Sequence, residues 1–334
     1  MPAVVAETCP VLVTGGTGQL GGALRRCVWP CGWRMIAADR QALDLRDSAA
    51  IARTIREGHD GVGFVAVIHC AAYTAVDRAE TDVAAAWALN ATAPAALAGA
   101  CAASDIPIVH VSTDYVFGGE RVFAGGRVFA GGWPGAWQVD DPVAPLNVYG
   151  ASKAAGEGAI RTSGARHAIV RTSWLFSAQR PNFVTAMLDA ARQRERLSVV
   201  TDQYGSPTGA DDLAAALLRI AQALVADDAA PGGTVHFSNM GHASRAEFAA
   251  EIFRQSRAYG GPDAQVLPVP SSDYPLPARR PAHTILDLDA IRRDYGIVPR
   301  DWRLALRDTI IALLEQPRYA SETARITGAD DPAP

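Results

Sequence analysis

Tyr149 and Lys153 stand four residues apart in "NVYGASK" (147–153), and this lysine is the only one in a 334-residue chain whose 31 Lys and Arg side chains are otherwise all arginine. A helix brings residues at that spacing onto one face. Lysine is a compact point charge on a flexible stem, whereas arginine is broad, planar and always charged. A chain that otherwise uses arginine keeps a lysine where one ammonium must enter a tight site. A nearby ammonium favours phenolate over phenol. Bringing a tyrosine from about 10 to neutrality takes about 4 kcal/mol of differential stabilisation. The expectation is a tyrosine with a lowered pKa that gives its proton to a carbonyl oxygen as hydride reaches the carbon. "VSTDYVF" (111–117) adds hydroxyls, and Ser112 or Thr113 can polarise the same oxygen.

Hydride chemistry needs a carrier, and "TGGTGQLGGAL" (14–24) offers a place for one. Gly15, Gly18 and Gly21 fall three apart between an apolar run and a helical segment. Small residues let such a turn close and let backbone amides approach a pyrophosphate at the helix N-terminus. Asp39 ends the next apolar run, where a carboxylate can accept from adenosine ribose hydroxyls. Arg40 beside it could instead meet a 2′-phosphate, so the pair leaves NADPH and NADH both open.

These residues must be positioned by a frame. Short apolar runs at 10–15, 33–39, 65–70, 106–112 and 167–172 read as strands buried on both faces. Helical segments at about 19–28, 48–57, 82–103 and 150–162 alternate with them, and Pro94 should kink the third. That alternation predicts an α/β fold with a doubly wound parallel sheet and a ligand crevice at the strand C-termini. Residues 1–176 form the expected dinucleotide-binding domain and 177–318 mainly a smaller α/β substrate lobe. A helix at about 207–225 returns to the first domain, and 319–334, small, polar and acidic, read as a disordered tail. "RVFAGG" occurs twice in tandem at 121–132; the reading is a tolerated duplication in a surface loop, with a lid over the ligand as the alternative.

A net charge of −4 gives no electrostatic reason to expect nucleic acid or an anionic membrane as partner. No apolar run of membrane-spanning length is read, and the N-terminus reads as a first strand, not a signal peptide. Five cysteines without a CxxC pair read as buried free thiols in a reducing cytoplasm, with no metal site.

The stretches "VTGGTGQLG", "CAAYTAVDRAE", "LNATAPAALA", "VSTDYVF", "NVYGASKAAGE", "VRTSWLF", "NFVTAML", "LSVVTDQYGSPTGADDLA", "HFSNMG" and "PARRPAHTILD", in this order, resemble the dTDP-4-dehydrorhamnose reductase family of extended short-chain dehydrogenases/reductases. The resemblance covers nearly the whole chain. It implies a Rossmann-type fold and reduction of the C4 ketone of dTDP-4-dehydro-6-deoxy-L-mannose by NADPH or NADH. Thr113, Tyr149 and Lys153 match the family's catalytic residues. Gln19, Leu20, Asp39, Asp44, Leu45, Ala72, Tyr73 and Thr74 match its cofactor contacts. Thr113, Asp114 and Trp174 match substrate contacts, with Asn182 and Arg279 candidates for the nucleotide phosphates. Asn90 matches a helix asparagine that supports the site.

Two departures qualify this. The loop between Phe117 and Tyr149 is longer than expected by about the duplicated repeat. Some members form a magnesium-bridged dimer through a glutamate in the first helix; Ala23 stands there, so magnesium is not expected, while a homodimer is left open. Alternatives are a 4-ketoreductase for another dTDP-deoxyhexulose, an epimerase or dehydratase of the superfamily, and a non-catalytic regulatory subunit of a methionine adenosyltransferase.

Overall fold

The computed structural model describes residues 9–119, 122–123, 127–128 and 135–319. Its centre is a six-stranded parallel sheet built from β1 (Cys9–Thr14), β2 (Trp33–Ala38), β3 (Ala66–His69), β4 (Ile108–Thr113), β5 (His167–Thr172) and β7 (Gly233–His236), in the order β7-β5-β4-β3-β1-β2. The strands are short apolar runs because both faces are covered. Val11 and Val13 point to one face, packing with α1 (Gln19–Arg26) and α6 (Ala210–Ala226). Leu12 points to the other, among Ile51 and Ile55 of α2 (Ser48–Glu57) and Leu97 and Cys101 of α3 (Ala93–Ala103). Successive strand residues alternate faces, so one strand feeds two cores.

Strand β7 and helix α6 come from the second half of the chain yet complete this sheet and its first core. The rest of that half has its own core, in which Phe176, Phe248, Trp302 and Leu306 are all buried. It gathers α5 (Phe183–Ala191), α7 (Arg245–Ala258), α8 (Trp302–Leu314) and a parallel pair, β6 (Arg196–Val200) with β8 (Gln265–Val269). Tyr319, read as the start of a disordered tail, belongs to this core, and its hydroxyl donates to Asp189 at 2.7 Å. The reading for 320–334 lies outside the described residues. So does most of the duplicated "RVFAGG" segment and the lid reading with it; only the backbone pairing of Val122–Phe123 with Arg127–Val128 is described.

The kink expected at Pro94 takes the form of a π turn over Ala88–Thr92, directly before α3. Proline has no N–H for the Asn90 carbonyl four residues earlier. That carbonyl instead faces Gly156 of α4 (Val148–Thr162), where any side chain would collide with it. Val83–Ala103 as a whole is long and apolar enough to cross a membrane by length and composition, contrary to the sequence reading. Here α3 packs against α2 and α4, and Asn90 carries a polar network inside the segment. Of the five free cysteines only Cys101 is fully buried, and Cys31 is exposed at the turn before β2.

Candidate active site

The strand order reverses between β1 and β3, and a cleft of about 690 Å³ opens at their carboxyl ends. Gly15 leaves β1 at φ +70°, and a Cβ there would lie 2.8 Å from the Ala71 amide nitrogen. A side chain on Gly21 would strike the Gly15 carbonyl and Gly16. Gly18 caps α1 in extended backbone without a capping side chain. The turn closes only because these side chains are missing, and the first amides of α1 have no partner within the helix. That cradle fits a dinucleotide pyrophosphate. Leu20 is buried at its edge, and the Gln19 amide oxygen accepts from the Ser177 hydroxyl at 2.9 Å.

Farther along the cleft lie Asp39, Arg40, Asp44 and Leu45. One oxygen of Asp39 accepts from the Gln41 and Ala42 amides, leaving the other for a ligand. The Arg46 guanidinium hydrogen-bonds Asp44 and holds its carboxyl down at about 2. Ala72 and Thr74 line the opposite wall after β3. Tyr73 between them turns away: its hydroxyl donates to Asp82 at 3.0 Å and its amide to Asn90 at 2.8 Å. The Asn90 side-chain amide donates to the Tyr73 carbonyl and to Ser152. This ties the wall to α4.

Helix α4 starts at Asn147, whose side-chain oxygen accepts from the Gly150 amide at 2.8 Å. Lys153 is 1% exposed; its ammonium donates to the Val111 carbonyl at 2.7 Å and lies 3.2 Å from Nε2 of His110. Burial lowers its pKa to about 8, opposed by the Glu157 carboxylate one turn on. His110 is buried in β4, and burial, with the Lys153 charge, keeps its imidazole neutral. His69 stacks on it and bonds the Thr14 hydroxyl at 2.6 Å.

The surroundings of half-buried Tyr149 run against the expected lowering. Burial pushes the Tyr149 phenol above its ordinary range, with Asp114 and Tyr115 adding to the shift and a Thr113 hydrogen bond opposing it. The Lys153 charge is directed to Val111 and His110 and does not lower the phenol. Tyr149 is therefore held protonated, the form a proton donor needs. Of the two hydroxyl candidates, Thr113 lies beside Tyr149 and donates to Asp114 at 3.0 Å, while the Ser112 hydroxyl is buried on the side of Glu157 without a hydrogen-bond partner. Residues one apart on a strand point oppositely. Asp114 is 2% exposed, accepts from Ser173 at 2.8 Å, and has its carboxyl raised by burial.

Trp174 closes this end of the cleft at φ +44°, its ring packed where Gly205 has no side chain. Neither phosphate candidate joins the cleft. Asn182 caps α5, its oxygen accepting from Val184 and Thr185 and its amide donating to Ser177 and Arg180. Arg279 is exposed and contributes its carbonyl to Asn147. Beneath the site, Glu157 and Arg171 form a buried bidentate pair at 2.9 and 2.8 Å. His110, Ser173, Glu157 and Arg245 were not singled out from the sequence. Only His110 carries a signal, as a polar letter inside the apolar run "IPIVHVS". Ala23 lies in the sheet core, and among the described residues no three His, Cys, Asp or Glu side chains gather to hold a metal.

The chain matches the RmlD substrate binding domain family over residues 9–315. It belongs to this family. A dTDP-4-dehydrorhamnose reductase of Sinorhizobium fredii is 36% identical over 303 residues, which is 90% of this chain and 97% of the relative. A solved dTDP-4-dehydrorhamnose reductase from Clostridium acetobutylicum superposes with TM-score 0.81 at 32% identity, covering 92% of this chain and 100% of that one. One from Bacillus anthracis, solved with NADP, gives 0.79 at 33% identity over 91% and 99%. The match over residues 9–315 takes in both lobes.

Proposed function

We propose that this chain reduces the C4 ketone of dTDP-4-dehydro-6-deoxy-L-mannose to the alcohol of dTDP-L-rhamnose, with NADPH as hydride source. The observation that carries the reading is the convergence of Thr113, Tyr149 and Lys153 at the end of a cleft that begins in the glycine cradle. Bound there, the nicotinamide supplies two electrons as hydride. The chain's own residues do the rest.

Gly15, Gly18 and Gly21 would hold the pyrophosphate, and Lys153, which lines the cleft from α4, would hold the ribose hydroxyls. Tyr149 carries the proton on Oη and delivers it to the ketone oxygen, so one hydride and one proton account for the product alcohol. Thr113 lies beside Tyr149 and donates to Asp114. It orients the phenol, and its one hydroxyl proton turns from Asp114 to the same oxygen when the ketone binds, where charge develops. Trp174 walls the sugar from solvent. The test is NADPH oxidation with a panel of dTDP-4-dehydro-6-deoxyhexoses. The reading predicts highest kcat/KM for the L-mannose configuration; turnover of other configurations but not this one would refute it.

A further inference from the structure

Arg245 is the first residue of α7, in the second lobe, and its guanidinium lies 3.6 Å over the Trp174 ring and 5.2 Å from Phe183. Three features of this placement are unfavourable for the protein alone. A cation in a helix's first turn opposes the helix dipole. Burial against two aromatic rings desolvates the charge and pulls it below its ordinary pKa. Among the described residues no carboxylate pairs with it within ion-pair distance; Glu247, two residues on, is engaged in the capping box with Ser244. An apolar side chain would fill the same aromatic niche without these costs, so packing alone does not account for an arginine.

Its polar neighbours point to the substrate. Tyr115 and the Asp114 carboxylate are near enough to act on Arg245, and the Tyr115 ring meets Tyr149 edge-on at 5.8 Å between centroids. The guanidinium is thus set one aromatic ring back from the phenol that faces the ketone. In a nucleotide-linked hexose the diphosphate leaves C1, across the ring from C4. The nearby Arg280 is not available for it: it is bidentate to Asp77 at 2.8 and 2.7 Å and also bonds the Ala278 carbonyl. The cleft is lined from the glycine turn to Trp174, the run a dinucleotide takes, so the sugar's own nucleotide lies beyond Trp174, on the side of the second lobe.

We infer that Arg245 is the diphosphate-binding residue of the substrate site, its guanidinium held against Trp174 and Tyr115 to meet the phosphoryl oxygens of the sugar nucleotide. This rests on the reading of the substrate as a dTDP-sugar. The anion supplies a countercharge at contact distance, which Asp114, near but outside ion-pair distance, does not, and the stacked guanidinium is pre-set for bidentate contact.

The experiment compares dTDP with thymidine binding to the NADPH-loaded protein by calorimetry, in wild type, Arg245→Met and Arg245→Lys. The inference expects wild type to prefer dTDP strongly. Arg245→Met should lose about tenfold or more in dTDP affinity, with thymidine and NADPH affinities nearly unchanged, and Arg245→Lys should fall between. In turnover, KM for the ketosugar should rise while kcat stays within about threefold. Equal weakening of dTDP and thymidine, unchanged dTDP affinity in Arg245→Met, or a wild type that does not prefer dTDP would each overturn it. NADPH affinity reports folding of the variants. The binding comparison decides the subsite whatever the turnover assay returns, so absent ketosugar reduction would count against the reductase reading alone.

Discussion

Lys153 Nζ lies 3.2 Å from Nε2 of His110, and both side chains are buried. An ammonium so placed needs an acceptor that stays neutral, and His110 is kept neutral by burial and by the same lysine. The only lysine of the chain is thereby fixed between a carbonyl and an imidazole, one helical turn from Tyr149.

The alkaline limb of activity should belong to Lys153, not to Tyr149. The lysine's folded pKa is lowered from 10.5 to about 8, while the phenol is raised. The other groups facing the lysine stay out of this range: His69 is pushed down to about 3 and the Cys70 thiol up to about 12. kcat/KM in the reductive direction should fall as pH rises through about 8. Lys153→Arg should lose most turnover and show no such limb, since a guanidinium does not titrate there. The sign for stability is opposite. Between about 8 and 10.5 the unfolded chain binds more protons at this group, so its contribution to stability rises with pH in that window.

His110→Phe keeps the ring's shape and removes the acceptor. Hydrogen bonds to charged groups are worth about 1.5–3 kcal/mol. kcat/KM should fall roughly tenfold to a hundredfold, and the alkaline limb should move to lower pH. His110→Gln, whose side-chain oxygen reaches the place of Nε2, should recover most of both. A Phe variant with wild-type rates and an unmoved pH profile would show that the contact is incidental.

Cofactor choice should turn on Arg40. With one Asp39 oxygen engaged by backbone amides, a free carboxylate oxygen and the Arg40 guanidinium meet the adenosine end of the cleft. Arg40→Ser should lower the preference for NADPH over NADH by about tenfold, the value of one charge-assisted contact. Unchanged relative KM values would place the 2′-phosphate elsewhere.

Glu157 and Arg171 are a stability prediction. Glu157 is 0% and Arg171 2% exposed. Glu157→Ala leaves the guanidinium buried and unpaired, which costs about 3–5 kcal/mol. Denaturant unfolding should show a large fall in midpoint. A Glu157→Ala protein as stable as wild type would contradict the pairing.

The sheet was legible because each of its first five strands is a continuous apolar run, and the π turn announced itself only as a proline. Strands Arg196–Val200 and Gln265–Val269 were not, since the first buries only Leu197 and Val199 and the second is largely exposed and interrupted by Pro268. The Gly15, Gly18, Gly21 cradle and the Tyr149–Lys153 spacing could be read because both are local geometry. The state of Tyr149 could not, because its pKa follows burial by residues far away in sequence. Asn182 and Arg279 show the converse limit. Their family positions are filled by a helix cap and by an exposed side chain outside the dinucleotide cleft, placements that the letters alone do not show. Arg245 carried no local signal at all, being one arginine among thirty until the fold set it on Trp174.

The most direct test is Tyr149→Phe, assayed with saturating NADPH and dTDP-4-dehydro-6-deoxy-L-mannose alongside a measurement of NADPH binding. If Tyr149 carries the proton, kcat falls by about 10²–10⁴-fold while the cofactor binds as in wild type. A variant that keeps kcat within about threefold of wild type would contradict the account.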